Sequence, residues 1–388
     1  MRKTLQYSKP LILIISAAII MNACRPRTAD NYGDSGTAAG ELAGFLFYVG
    51  TYTGSESRGI YKSLLGEDGS LRLSGLATQT ENPSFLALSP CGDFLLAVNE
   101  NSPAGTVESF RIKDDSLVLV SRQSSGGEHP CYVSINEAGY VLTANYSSGN
   151  VGLLKMNKGG RLGELLDIQQ HTGKGSGDRQ EGPHAHSVYF EPGTSMVISS
   201  DLGTNEIWFS VLDTVQGRLL PANQQNLMME PGAGPRHMAF HPNGSYIYVI
   251  NELNSTVTLV KKNKSGEYEK GLSFTTLPAG YEGPNYCADI HIAADGRFVY
   301  ASNRGHNSIA IFKVEPETGI LTPSGHCSSS GEWPRNFVLS PDENFLLVAN
   351  QNSDNIVSFK RDINSGLCEP VDTISIPDPV FILFGKKL

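Results

Sequence analysis

Cysteine is scarce and scattered in this 388-residue chain: six residues, none in CxxC spacing. With Cys24 set aside for the reason given below, Cys91, Cys131, Cys287, Cys327 and Cys368 are odd in number and far apart. Neither a zinc site nor a disulfide framework is indicated by them. Basic residues are outnumbered, 30 Lys and Arg against 39 Asp and Glu, for a net charge of −9. A general nucleic-acid binder needs a basic stripe, so no nucleic-acid partner is expected. An anionic ligand has to be drawn by a local cluster of Arg and His, because the overall field is unhelpful. Long amphipathic helical patterns are hard to find, and so are compact catalytic motifs. There is no GxSxG elbow, no HExxH helix and no complete Walker loop. The run Gly173-Lys174-Gly175-Ser176-Gly177 lacks Walker spacing and reads as a mobile loop. No cofactor is implied.

What the chain does have is glycine, 41 residues of it, and a repeat. The stretch Gly234 to Thr258 reads as strand, turn, strand, turn, strand, with Asn243-Gly244 as the first turn and Asn251 closing the second strand. A similar first strand recurs at 82–88, 129–135, 183–190, 287–292 and 333–339. Each copy is followed by a second apolar strand with a polar stop: Asn99, Asn145, Asp201, Asn251, Asn303 and Asn350. Successive stops are roughly 50 residues apart, enough for one four-stranded sheet per repeat. The ends supply half a unit each. Phe45 to Val49 resembles a second strand without a first, and Pro379 to Phe384 a first strand without a second. Pairing them closes a ring and removes the open sheet edges. The expected fold is therefore all-β, a seven-bladed β-propeller of four-stranded blades over residues 45–388. The period exceeds that of WD repeats and the WD signature is missing, which disfavours a protein-docking platform of that type.

The N-terminus reads as a targeting segment. Arg2, Lys3 and Lys9 precede an apolar run from Leu11 to Met21, and Ala23 stands just before Cys24. Residues 1–23 resemble a bacterial lipoprotein signal, with Cys24 as the lipidated residue of the mature chain. Residues 24–44, rich in Ala, Gly, Thr, Asp and Ser, then form a tether. The expected location is the cell envelope, with contact to the membrane only through the lipid on Cys24.

In an antiparallel hairpin the start of one strand lies beside the end of the next. Starts of first strands and ends of second strands must then open on one face of the ring. His184, His186, Arg236, His237, Asp289 and Arg335 stand at starts; Asp201, Glu252, Arg304 and Gln351 stand at ends. The recurring Asn residues are expected to fix turns through side-chain bonds to the backbone. The charges that do not recur need another explanation, and Glu252, His186, Arg236 and Arg304 are the candidate catalytic set. His184, His237, Asp289 and Arg335 are candidate substrate-binding groups. A zinc site built from His184, His186 and either Asp289 or His291 is the competing reading of the histidines, and no metal is expected.

The motifs GPRHMAFHPN and VINELNST (Gly234 to Thr256), ADIHIAADGRFVYASNR (Ala288 to Arg304), GPHAHSV (Gly182 to Val188) and WPRNFVLSPDENFLLVANQ (Trp333 to Gln351) resemble the bacterial propeller type of 6-phosphogluconolactonase. The likeness runs from about residue 45 to the C-terminus. Fungal carboxy-muconate lactonising enzymes have this fold and similar motifs. The site proposed for that group, a His, two Arg and a Glu, falls by motif at His186, Arg236, Glu252 and Arg304. The resemblance implies lactone chemistry on a carboxylated or phosphorylated substrate. The leading expectation is metal-independent hydrolysis of an aldonolactone, with Glu252 or His186 as base and Arg236 and Arg304 on the anionic groups. Alternatives are a lactonising cycloisomerase, a calcium-dependent lactonase, and a non-catalytic envelope propeller that binds glycan or protein.

Overall fold

Alternation of apolar and polar residues over six to eight positions, punctuated by tight turns, drives the chain into antiparallel strands. A computed structural model describes residues 44–114 and 116–385. The expected leader, Cys24 and the tether lie outside them, except Gly44, which opens the first strand. The described residues form seven sheets of four strands each, with one 3-10 turn at Gln351–Ser353.

Numbered by their innermost strands, blade 1 begins with Leu86–Leu88, blade 2 with Pro130–Ile135 and blade 3 with Ala185–Phe190. Blade 4 begins with Pro235–Phe240, blade 5 with Tyr286–Ile292 and blade 6 with Pro334–Leu339. Blade 7 is shared between the termini. Pro379–Phe384 pairs antiparallel with Gly44–Thr51, and the sheet continues through Gly59–Gly66 and Leu71–Gln79. The ring closes as the two half-units require.

Seven apolar clusters fill the spaces between the sheets. Between blades 4 and 5, for example, Tyr248, Ile250 and Leu259 meet Cys287, Val299 and Phe312, all fully buried. Each large side chain of this kind contributes about 1.5–3 kcal/mol by leaving water.

The polar stops act across their own turns, as in Asn145 to Asn150 and Thr204 N to Asp201, and also between blades. The Nδ2 of Asn99, Asn145, Asn303 and Asn350 donates to Glu81, Ser125, Thr276 and Ser329 carbonyls, at 2.7 to 3.0 Å. Each acceptor lies on the connector arriving from the preceding blade, so the repeated Asn stitches neighbours together. Asn251 differs and bonds Thr256 and Thr258 in its own blade. Asp201 makes the blade 3 version of the stitch, with His171 Nδ1 at 2.8 Å. Ser199 Oγ lies 3.3 Å from the other nitrogen of that imidazole, a serine–histidine–aspartate chain in outline. All three are buried and they occupy the repeated structural position, so the chain is a strut.

Candidate active site

A single irregularity of the inner strands aims the site. In blades 2, 3, 4 and 6 the pairing with the second strand slips by one residue: at Pro130/Tyr132, Ala185/Ser187, Pro235/His237 and Pro334/Asn336. A β-bulge of this kind leaves one residue unpaired and re-aims its side chain. Those residues are Cys131, His186, Arg236 and Arg335, and all four turn into the mouth of the channel. Around them stands a second ring, one residue beyond each polar stop, which includes Glu100, Tyr146, Glu252 and Arg304.

Glu252 is the hub. Its Oε2 accepts from Arg236 Nε at 3.0 Å and from Arg304 Nη2 at 2.9 Å, and its Oε1 accepts from Arg179 Nη1 at 2.6 Å. Burial alone would raise this carboxyl, but Arg304, Arg236 and Arg179 overcome it and hold it at about 2. Arg236 is fully buried and also donates to the Ala288 carbonyl at 2.6 Å. Arg304 donates to the Tyr286 and Cys287 carbonyls, both at 3.1 Å, and lies over the Trp333 ring. Arg236, Glu252 and Arg304, chosen from three strands of the repeat, thus form one hydrogen-bonded unit. Arg335 stands apart from it, donating to the Tyr52 hydroxyl at 2.6 Å.

His186 is buried with its ring edge-on to Tyr146 and His237, and its Nδ1 is 3.8 Å from Cys131 Sγ. Burial, and then the charges of Arg236, His237 and Arg335, push it well below 6.5, so the imidazole is neutral at pH 7. His184 stacks on the other side of Tyr146, with ring centres 4.5 Å apart.

His237 and Asp289 lie one layer down. Arg236 Nη1 donates to His237 Nε2 at 3.3 Å, which leaves the ring proton on Nδ1 for Asp289 Oδ1 at 2.7 Å. Asp289 also accepts from Asn336 Nδ2 at 2.5 Å and contacts His291 Nε2 at 3.1 Å. Burial would raise the Asp289 carboxyl, yet His291 and His237 keep it well below the carboxylate range. Burial and Arg236 bring His237 down to about 4 against the pull of Asp289. These residues line a cavity of about 510 Å³ with Phe240, Ile292 and Phe384, at the far ends of the inner strands. His237 and Asp289 therefore support Arg236 from beneath, next to an aromatic plug in which Phe85 packs on Tyr132 and Phe381.

Arg179 was not among the residues singled out in the sequence. It sits on the connector between blades 2 and 3, with its side chain 45% exposed, and also donates to the Tyr146 hydroxyl at 3.0 Å. That connector contains Gly173–Gly177, expected to be mobile, but it is tied down. Gly175 N donates to the Gln180 and Gly203 carbonyls, and buried Gln180 donates to the Leu202 carbonyl at 2.8 Å. No repeat covers this insertion, so position in the sequence gave no signal for Arg179. Tyr52, Glu100, Tyr146 and Cys131 were also missed, although they occupy the same repeated positions as Arg304, Glu252 and Arg236. Among the described residues, no group of three or more His, Cys, Asp or Glu is placed to hold a metal, so the zinc set of His184 and His186 does not assemble. The five described cysteines are free.

A family model described as a seven-bladed β-propeller lactonase matches residues 46–384. The chain is 36% identical over 346 residues to a 6-phosphogluconolactonase of Bacillus subtilis, a match covering 88% of this chain and 98% of that one. It is 37% identical over 298 residues to a 6-phosphogluconolactonase of Formosa agariphila, covering 74% and 83% respectively. The solved structure of a periplasmic gluconolactonase of Pseudomonas aeruginosa shares its fold with a TM-score of 0.84 at 30% identity, covering 89% of this chain and 99% of that one. Matched almost end to end by that family and by these relatives, the chain belongs to the seven-bladed β-propeller lactonases and is a lactone-hydrolysing enzyme.

Proposed function

We propose that the enzyme hydrolyses an anionic sugar lactone, 6-phosphogluconolactone or a related aldonolactone, at the mouth framed by Arg179, Arg236, Arg304 and Arg335. The observation that carries this reading is the charge balance at the mouth. Four guanidiniums face two carboxylates, Glu252 and Glu100, which leaves an excess of positive charge among side chains that, Arg179 aside, are mostly buried. Such an arrangement favours a substrate that brings negative charge of its own and a transition state that develops more.

Roles follow from accessibility. Arg179, half in solvent, meets the phosphate or carboxylate remote from the ring. Arg304 and Arg236 stabilise the oxyanion formed when water adds to the lactone carbonyl. Glu252 holds those guanidiniums in place. With both oxygens committed and its carboxyl at about 2, it is an electrostatic strut and a poor proton acceptor. His186, neutral and at the centre of the mouth, is a hydrogen-bonding partner for the carbonyl or the water. The charged and apolar leader before Cys24 supports an enzyme that is exported and lipid-anchored, acting on lactones outside the cytoplasm.

The test is a panel of lactones, 6-phosphogluconolactone and glucono-δ-lactone first, assayed on the full-length protein with and without chelator. Ring opening that favours the anionic lactone and is unchanged by chelator is expected. Binding without turnover on every lactone overturns the reading.

A further inference from the structure

Proton transfer from water to a base is needed for ring opening, and the two groups named from the sequence are poorly suited to it. Both Glu252 oxygens already face arginines, and those charges hold its carboxyl at about 2. Protonating His186 would add a third positive charge beside those of Arg236 and Arg335 in a buried place.

The repeat supplies another candidate. Glu100 follows the stop Asn99 as Glu252 follows Asn251, so the two carboxylates hold equivalent positions in blades 1 and 4. Three blades apart in a ring of seven, they face each other across the mouth. Their surroundings differ. Glu100 Oε2 accepts from the Tyr52 hydroxyl at 2.9 Å, and that oxygen accepts in turn from Arg335 Nη2 at 2.6 Å. Arg335 itself comes no closer than 4.0 Å to the carboxylate. Among the described residues Glu100 Oε1 has no hydrogen-bond partner, and the side chain is 15% exposed. The group belongs to the same cluster as the rest of the site. The buried Cys131 thiol, 3.8 Å from His186 Nδ1, is acted on by the charges of Glu100, Arg236 and Arg335 together.

We propose that Glu100 is the general base of the lactone hydrolysis, with Tyr52 and Arg335 as positioning residues that fix its carboxylate. This rests on the lactonase reading of the mouth. Water gives a proton to Glu100 Oε1 as its oxygen bonds to the lactone carbonyl carbon, and the carbonyl electron pair moves to the oxygen held by the guanidiniums. Collapse of that intermediate breaks the bond to the ring oxygen, which takes the proton back from Glu100 and leaves as a hydroxyl. The carboxylate is regenerated and the product acid ionises into solvent. The charged and titratable groups facing Glu100 are Tyr52, Arg335 and Cys131, and none of them needs to change protonation.

The test compares wild type, Glu100→Gln, Glu100→Ala and Tyr52→Phe on glucono-δ-lactone and 6-phosphogluconolactone, with thermal unfolding of each as a check on folding. Glu100→Gln is expected to lose about 10²–10⁴-fold in kcat with KM changed less than about threefold. Formate, entering the space left in Glu100→Ala, is expected to restore about tenfold or more, and Tyr52→Phe to lower kcat while leaving KM alone. Retention of more than about a tenth of kcat by a folded Glu100→Gln protein, or no rescue of Glu100→Ala by formate, overturns the proposal. If wild type opens these lactones and Glu100→Gln is equally fast, this assignment fails and the lactonase reading stands. If wild type opens none, both fail.

Discussion

Replacing Glu252 by Gln keeps the shape of the hub and removes its charge. A carboxyl held at about 2 instead of 4.5 corresponds to about 3 kcal/mol of folding free energy. Removing one partner of a buried charge cluster costs about 3–5 kcal/mol by the same logic, since Arg236 and Arg304 are left buried without a counter-ion. For a domain of about 340 residues, with an unfolding entropy of ~2.1 cal/mol/K per residue, 3–5 kcal/mol is a fall of about 4–7 °C in Tm. The sign with pH is fixed by the depressed pKa. The stabilisation is complete above the unfolded value of 4.5 and is lost as pH falls towards about 2. Calorimetry on wild type and Glu252→Gln should therefore show the full gap at pH 7 and a gap that closes between pH 4.5 and 2. In kinetics the same variant should lose kcat/KM through misplaced guanidiniums and, if Glu100 is the base as proposed, keep the acid limb of the pH profile. A gap below about 1 °C at pH 7, or one that stays constant down to pH 2, refutes the role of Glu252 as the hub.

Three further outcomes are expected. Arg179→Gln should weaken kcat/KM on 6-phosphogluconolactone at least about tenfold more than on glucono-δ-lactone, measured side by side, because a charge-assisted bond to the remote anion is lost. His171→Leu leaves the Oδ2 of buried Asp201 without its 2.8 Å partner and should cost about 1–3 kcal/mol, and it should open the connector at Lys174 and Arg179 to trypsin. The His237 imidazole, held at about 4, should stay neutral in NMR titrations down to about pH 5. Its folded pKa lies below the unfolded 6.5, so its stabilisation is complete above 6.5 and declines as pH falls from there to about 4.

The architecture was legible because its signals repeat. Pro235 to Phe240, Tyr246 to Asn251 and their copies carry strand periodicity, turn residues and a polar stop at constant spacing, and the orphan strands at the two ends have only each other to pair with. The site was legible where chemistry replaced the repeated residue, as at Arg236, Glu252 and Arg304. It was less so where geometry departs from simple alternation. Counting by twos puts His184 and His186 on one side of a strand, whereas the bulge at His186 breaks that count and both rings end up around Tyr146. The same bulge in blade 4 separates Arg236, in the mouth, from His237 beneath it. Cys131 and Glu100 occupy informative positions, but a lone thiol and a lone carboxylate carry no pattern until their neighbours from blades 6 and 7 are in place. Arg179 lies in an insertion whose reach across the rim depends on the buried Gln180 and His171 anchors.

Co-crystals with the product acid, 6-phosphogluconate, address the heart of this account, that the rim shared by Arg179, Arg236, Glu252 and Arg304 is where a lactone is opened. The acid should sit at that mouth with its carboxylate against Arg236 and Arg304, its phosphate on Arg179 and the C1 carbon facing Glu100. Product bound instead in the aromatic cavity at the other end of the channel, or on the outer edge of a blade, would contradict it.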